Sequence, residues 1–457
     1  MMDYKEHFKD KKVTVMGLGL LGGALNDALF LAECGAKLTI TDLKSKEELQ
    51  PSLEKLSQFK DIKFVLGKHD LEDFKNQDFV LQPGNVPLDS IFLREARKNN
   101  IPIYVSESLF AQYSESTLIG ITGTRGKSTV THMLFDILSK VSFKDKKVFL
   151  GGNVKNVSTL SLLKEAHKGD LVVLELDSWA LAGMGDIKKS PHISIFTTFF
   201  DDHLNFYKGD KDSYLKDKTN IFKYQNTDDV LILGSQVEKL LIEKYGKDIQ
   251  SRIITARMEN VPQEWKLKIL GEHNIYNASC VIEACRTLGV SEEVIEWGVM
   301  NFKGISGRLE FVKEVRGVKI YNDTTSTTPE ATVVALNALG KDKNIILILG
   351  GADKTLDMSK LIEVIPKYCK KVVLLPGTGT DKLKASIFEL SGQKNLTAKS
   401  QQLKADVADS LKDAIDKSLV GAIKGDVILF SPAFASFGMF INEFDRGDRF
   451  LEIVNKL

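Results

Sequence analysis

The 457-residue sequence contains no apolar run near the ~18 residues that a membrane helix needs. Its longest runs, such as Ile345–Leu349 and Leu171–Leu174, suit buried strands instead. Net charge is nearly absent. Sixty-two Lys+Arg against sixty-one Asp+Glu leave +1, so the bulk field draws in neither nucleic acid nor an anionic membrane, and any anion site must be local. Only four cysteines are present (Cys34, Cys280, Cys285 and Cys369), scattered and without a CxxC pair. That excludes a disulfide framework and leaves buried thiols as the expectation. Long repeats and low-complexity linkers are missing as well, which predicts domains joined by short hinges. The opening stretch MMDYKEHFKDKK is charged throughout and offers no apolar core for a signal peptide. These absences predict a cytoplasmic protein with no membrane insertion and no nucleic-acid partner.

What is present is ordinary globular material, 43% hydrophobic and 27% charged. The length suffices for about two to four domains. Short β-rich runs alternate with longer helical patterns from end to end, the signature of an α/β protein with parallel sheets. Strands are expected at Val13–Met16, Lys37–Ile40, Phe79–Gln82 and Ile101–Val105. A second series runs through Leu118–Thr122, Val148–Leu150, Leu171–Leu176, Ile193–Thr197 and Val230–Leu233, with helices over Thr129–Lys140 and from His273 to Leu288. A third runs through Val318–Tyr321, Ile345–Leu349, Val372–Leu375 and Val427–Phe430. The expected domains are 1–108, 109–304 and 305–457, with Gly304 and Gly307 marking the second boundary.

Two motifs promise nucleotide chemistry. Gly17-Leu-Gly19-Leu-Leu-Gly22 follows a strand and opens a helix, with Asp42 twenty residues beyond, which is the dinucleotide-binding pattern. Glycines there allow a phosphate to approach the helix N-terminus, and the acid can grip a ribose hydroxyl. Thr122-Gly123-Thr124-Arg-Gly126-Lys127-Ser128-Thr129 also lies between a strand and a helix. Its backbone can cradle phosphates, Lys127 adds a point charge and Ser128 can ligate Mg²⁺, although position 121 is Ile where a standard phosphate loop has glycine. A dehydrogenase needs only the first motif and a simple kinase only the second.

Further motifs follow in order: Glu175 at a strand end, Asp202-His203-Leu-Asn205, Gly271-Glu-His273-Asn274-Ile-Tyr-Asn277, Gly307-Arg308, Asn322-Asp323-Thr324-Thr-Ser-Thr327, Gly350-Gly-Ala-Asp353-Lys354, Ser431-Pro-Ala-Phe-Ala-Ser436-Phe437 and Arg446-Gly447-Asp448. From the first glycine turn to Arg446 this set resembles the Mur ligase family, most of all its D-glutamate-adding branch. The resemblance implies three domains: a Rossmann-like N-terminal domain for a UDP-sugar, a central P-loop ATPase domain with a mainly parallel sheet, and a Rossmann-like C-terminal domain that closes over ATP and the amino acid. It implies an ADP-forming ligase of peptidoglycan precursor synthesis, joining D-glutamate to UDP-N-acetylmuramoyl-L-alanine through an acyl phosphate and a tetrahedral intermediate. The first glycine motif would then hold a UDP-sugar and no redox cofactor. A monomer using ATP and two Mg²⁺ ions is expected.

The resemblance also assigns roles. Lys127, Glu175, His203 and Lys218 would be catalytic. Gly123, Thr124, Gly126, Ser128, Thr129, Asn274, Asn277, Arg308 and Asp323 would meet ATP. Gly17, Gly19, Gly22, Asp42, Pro83, Gly84 and Asn153 would hold the UDP-sugar, while Thr327, Lys354, Ser436 and Phe437 would hold D-glutamate. Ser128, Glu175, His203 and Lys218, the last as a carbamate, would bind the metals; Lys216 is a neighbouring candidate for that modification.

Several positions depart from the family's usual pattern. Thr325 replaces a customary lysine and Gly307 a histidine. Asn205 stands where Asp is common, Asp177 where Ser is, and Asn442-Glu443-Phe444 inverts an Asn-Phe-Glu order. Alternatives are another Mur-type ligase with a different amino acid and, more distantly, a folylpolyglutamate synthase-like enzyme. A nicotinamide-dependent dehydrogenase would leave Lys127 idle, and a nucleotide-regulated binding protein without catalysis is a further reading.

Overall fold

Leu171–Glu175 and Ile345–Leu349 are buried at every position, as strands are when helices cover both faces of a parallel sheet. The computed structural model describes all residues except 1–3, 20–21, 85, 88, 142–145, 155–156, 201–205 and 393–402, and no side chain at 391–392. Among the described residues, seventeen strands form three sheets.

The first sheet contains β1 (Lys12–Met16), β2 (Lys37–Asp42), β3 (Ile62–Leu66), β4 (Phe79–Leu81) and β5 (Ile103–Tyr104). Their order is β3-β2-β1-β4-β5 and all pairs are parallel. The chain moves outward from β1 in one direction and then restarts on its other side at β4. Such a reversal opens a crevice at the C-terminal ends of the strands. The glycine turn after β1 and the Pro83–Gly84 turn after β4 both lie there.

The second sheet holds β6 (Thr117–Thr122), β7 (Val148–Gly152), β8 (Leu171–Glu175), β9 (Ile193–Phe196), β10 (Val230–Gly234) and β11 (Arg252–Ala256), ordered β11-β10-β9-β6-β8-β7 and wholly parallel. Here the reversal falls at β6, whose neighbours are β8 and β9. The segments leaving these three strands therefore share one edge.

The third sheet holds β12 (Glu310–Val315), β13 (Val318–Asn322), β14 (Ile345–Leu349), β15 (Cys369–Leu374), β16 (Lys404–Val407) and β17 (Val427–Phe430), ordered β12-β13-β17-β14-β15-β16. Only the β12–β13 pair is antiparallel. Alternate residues of β14 feed two separate cores: Ile345, Leu347 and Leu349 one, Ile346 and Ile348 the other. At roughly 1.5–3 kcal/mol for each buried aliphatic side chain, these two layers are the main support of the sheet.

The chain divides into two compact units, Met1–Leu267 with Glu272–Phe302 and Lys268–Gly271 with Lys303–Leu457. The first carries two sheets and the second the third sheet, so the three α/β series expected from sequence are all present. Within the first unit Asp27 Oδ1 accepts from Ser106 Oγ (2.9 Å) and Ser158 Oγ (2.5 Å), linking the helix after β1 to the segments before β6 and after β7. All four cysteines are buried thiols, as their scatter predicts. No helix among the described residues is long and apolar enough to cross a membrane.

Candidate active site

Helix Lys127–Leu138 begins directly on Gly126, with no side-chain cap and no acid in its first turn. Its first amides and the positive end of its dipole are thereby offered to an anion. The turn before it cannot carry side chains at two positions. A Cβ on Gly123 would lie 2.0 Å from Thr197 Oγ1 and one on Gly126 2.4 Å from Asn277 Oδ1, and both glycines have positive φ (143° and 91°). Thr197 and Thr198, just past β9, lace the turn in place. Thr124 N donates to Thr198 O (2.7 Å), Arg125 N to Thr198 Oγ1 (2.9 Å), and Thr197 Oγ1 to Arg125 O (2.6 Å).

Two lysines converge on this turn. Lys127 Nζ donates to Gly123 O at 2.9 Å, and Lys218 Nζ donates to the same oxygen at 3.2 Å and to Thr122 Oγ1 at 3.3 Å. Lys218, 1% exposed, sits on helix Lys211–Thr219 with its ammonium 5.0 Å above the Tyr214 ring. Sharing a single carbonyl brings two cations close together, an arrangement favoured by an anion or by neutralisation of one of them.

Ser128 Oγ donates to Glu175 Oε1 at 2.8 Å, which joins the start of the helix to the end of neighbouring β8. A hydroxyl and a buried carboxylate are hard oxygen donors of the kind Mg²⁺ takes. Thr129 lies half-buried beside them. His203, expected to complete this site, lies outside the described residues, as do Asp202 and Asn205. Asn274 and Asn277 share one face of helix Glu272–Thr287, as their spacing predicts. Both are buried, Asn277 Nδ2 donates to Asn274 Oδ1 (3.2 Å), and Asn277 reaches Gly126.

At the first sheet Gly17, Gly19 and Gly22 all adopt positive φ, and Gly22 precedes an uncapped helix. Asp42 supports the turn itself. Its Oδ2 accepts from Leu18 N (2.8 Å) and Gly19 N (3.1 Å), and its Oδ1 from Lys44 N (2.9 Å). The carboxylate expected from sequence to meet a ribose hydroxyl thus also braces the glycine turn through the turn's own amides. Pro83 lies 3.4 Å from the point where Gly17 would carry a Cβ. Gly84 fits against Trp179, where a Cβ would come within 3.1 Å. Asn153 is exposed just past β7, and its amide donates to Glu175 O (2.8 Å).

In the second unit the segments after β13, β17 and β14 leave adjacent strands. Lys354 Nζ donates to Thr327 Oγ1 at 3.0 Å, bringing two of the expected amino-acid contacts together. Burial, opposed by the Glu443 carboxylate and aided by Arg446, holds the Lys354 ammonium below its usual range. Ser436 is buried, whereas Phe437 is 64% exposed. Asp323 is buried and spoken for: its Oδ2 accepts from Ser326 Oγ (2.5 Å) and Ser431 Oγ (2.7 Å), and its Oδ1 from Leu309 N (3.0 Å). Burial pushes its pKa up to about 6 against those hydrogen bonds. Arg308 is exposed.

Sequence reasoning missed Thr197, Thr198 and Tyr214 as supports of the phosphate turn. The only available signal was the position of the two threonines past a strand on the edge where α/β sheets bind ligands.

Residues 121–285 match the model of the Mur ligase middle domain, and 307–434 that of the Mur ligase glutamate ligase domain. UDP-N-acetylmuramoylalanine–D-glutamate ligase of Borreliella burgdorferi is 36% identical over 475 residues, covering 99% of both chains. The chain belongs to the Mur ligase family. Among solved structures, this Mur ligase is similar to UDP-N-acetylmuramate–alanine ligase MurC from Thermotoga maritima (TM-score 0.60, 19% identity, 98% of this chain and 99% of that one). It also resembles MurF ligase from Thermotoga maritima in complex with ADP (TM-score 0.56, 16% identity, 92% and 94%).

Proposed function

We propose that this Mur ligase joins D-glutamate to UDP-N-acetylmuramoyl-L-alanine, converting ATP to ADP and phosphate, as a step of peptidoglycan precursor synthesis. The observation that carries the reading is the convergence of Lys127, Lys218, Ser128 and Glu175 on an uncapped helix N-terminus. Its 36% identity with a relative of that name across the whole chain supports the choice of substrates. In this reading residues 1–108 hold the UDP-sugar, 109–304 hold ATP and 305–457 hold the amino acid. The protein acts in the cytoplasm as a monomer.

Amide formation from a carboxylate and an amine is uphill in water, so the acid must first become a better acyl donor. The L-alanine carboxylate attacks the γ-phosphorus of ATP, ADP leaves, and an acyl phosphate forms. The D-glutamate amine adds to its carbonyl, and the tetrahedral intermediate expels phosphate. Both steps gather negative oxygen. In this reading Lys127 and the amides of the Gly126 turn stabilise that charge as donors fixed in advance of the reaction. Asn274, Asn277, Arg308 and Asp323 hold the nucleotide, while Thr327, Lys354, Ser436 and Phe437 orient D-glutamate. Mg²⁺, when bound, supplies charge neutralisation on the phosphoryl oxygens. Ser128, Glu175 and His203 are its ligands in this reading, with Lys218 as a carbamate. Carbamylation would turn the second of two crowded cations into an anion, which suits a metal site.

An amino-acid panel supplied with UDP-N-acetylmuramoyl-L-alanine and ATP, with product mass read directly, tests the proposal. D-Glutamate should give the product, and phosphate should appear only when both acceptor and amino acid are present. Turnover indifferent to D-glutamate but brisk with another amine would overturn it.

A further inference from the structure

Arg308 is exposed, yet the backbone on either side of it is fixed. Gly307 O accepts two hydrogen bonds from one residue, Thr325: 3.0 Å from its amide and 2.9 Å from its hydroxyl. On the other side Leu309 N donates to Asp323 Oδ1 at 3.0 Å. Asp323 and Thr325 belong to the same turn after β13, so one turn grips the carbonyl before Arg308 and the amide after it. The gripped tripeptide is strained at its far end: φ is 44° at Leu309, a left-handed conformation that a leucine adopts only under constraint, whereas the 76° at Gly307 is one that glycine takes freely.

Gly307 and Thr325 also fit each other sterically. A Cβ on Gly307 would lie 2.8 Å from Thr324 Cγ2 and 3.4 Å from Thr325 Cγ2. These are two of the positions where the sequence departs from the family pattern, lysine having become Thr325 and histidine Gly307. In the structure they touch, so the two departures form one local rearrangement: a cation is exchanged for a latch on the turn that carries Arg308 into β12.

We infer that Thr325 is a positioning residue whose hydroxyl sets the pose of Arg308, and thereby the affinity for ATP rather than for the amino acid. The inference rests on the reading that Arg308 meets ATP. The Thr325 hydroxyl acts two bonds from the Arg308 amide nitrogen, whereas the Lys354–Thr327 pair that would hold the amino acid is tied to Thr325 only through its backbone carbonyl, which accepts from Thr327 N (2.9 Å) and is untouched by loss of the hydroxyl.

Thr325→Val removes the hydroxyl while keeping the size and branching of the side chain. It should raise the KM for ATP about fivefold, the usual consequence of losing one hydrogen bond, with the KM for D-glutamate within about twofold of the parent. Thr325→Ser should recover most of the loss, and it also serves if the valine variant folds poorly. The decisive comparison is the double variant. With Arg308→Ala already present, Thr325→Val should add nothing to the ATP KM, because a latch with no guanidinium to aim has no effect. Additive losses, a shift confined to the amino-acid KM, or a serine variant as impaired as valine would each overturn the inference. If Arg308→Ala alone leaves the ATP KM unchanged, the underlying assignment of Arg308 fails, a result separable from failure of the latch.

Discussion

A methyl group on Gly123 has nowhere to go, since Thr197 Oγ1 occupies the position 2.0 Å away and φ is 143°. Gly123→Ala must therefore displace either the turn or the threonine that braces it. We expect ATP affinity, measured by calorimetry, to fall on the order of tenfold or more, given the 1–2 kcal/mol typical of forcing such a backbone. Affinity equal to the parent would mean that the turn does not cradle phosphate. Lys127→Ala should leave ATP bound but slow phosphate release in the complete assay by about a hundredfold or more, as loss of one preorganised transition-state contact does. Near-normal turnover would remove Lys127 from the chemistry. These residues were legible because Gly126-Lys127-Ser128 carries its own context, a strand before and a helix after. Thr197, Thr198 and Tyr214 were not, because a threonine or tyrosine says nothing until the fold shows what it faces. At Asp42 the spacing was legible, but its bracing of the turn through the amides of Leu18 and Gly19 was not, because backbone donors leave no mark in the sequence.

The strands that escaped sequence reading share one physical property. β3, β11, β12 and β16 are all edge strands, and their burial is patchy, whereas central strands such as β8, β9, β10, β14 and β17 are buried throughout. An edge strand faces solvent along one side, so it need not build the continuous apolar run that marks a strand of a covered parallel sheet; the edge strands β5 and β7 were legible because Ile101–Val105 and Val148–Leu150 keep such a run. At the helix Ser106–Tyr113, which links the first two sheets, a second feature was equally invisible. Burial, with the nearby Asp177 and Asp27 carboxylates adding to it, pushes Glu107 up to about 8, although its surface is not wholly closed to solvent. Burial likewise pushes Asp27 to about 6 against the hydrogen bonds from Ser158 and Ser106. The sign follows from linkage. The folded protein keeps a proton on Glu107 where the unfolded chain has lost it, so the stabilisation is complete below about pH 4.5 and disappears as pH rises through about 8. Glu107→Gln makes the neutral state permanent. Between pH 5 and pH 9 the melting temperature of the parent should fall more than that of the variant, by at least a few degrees, about 2–4 °C for each kcal/mol in a unit of this size. Parallel declines would show that Glu107 ionises freely.

At the scale of the molecule, each compact unit has hydrophobic clusters of its own. One runs through the residues of the first two sheets, and a separate pair flanks the third sheet from Val318 to Val454. Cooperativity in unfolding comes from shared packing, so units with separate cores should melt as separate transitions. Ile348 lies in the middle of β14 and is fully buried among Val373, Ile428 and Phe450. Ile348→Ala leaves a cavity that the surrounding sheet cannot close, a loss of about 2–5 kcal/mol. In scanning calorimetry one transition should therefore drop by roughly 5–15 °C, while the other stays within a degree or two. ATP gives the complementary label. The phosphate turn at 123–129 belongs to the first unit, so nucleotide at a hundred times its Kd should raise that unit's transition by about 2.7 kcal/mol in both parent and variant. If Ile348→Ala instead lowered both transitions together, the two cores would be acting as one, and the separation of the two units as independent folding bodies would have to be abandoned.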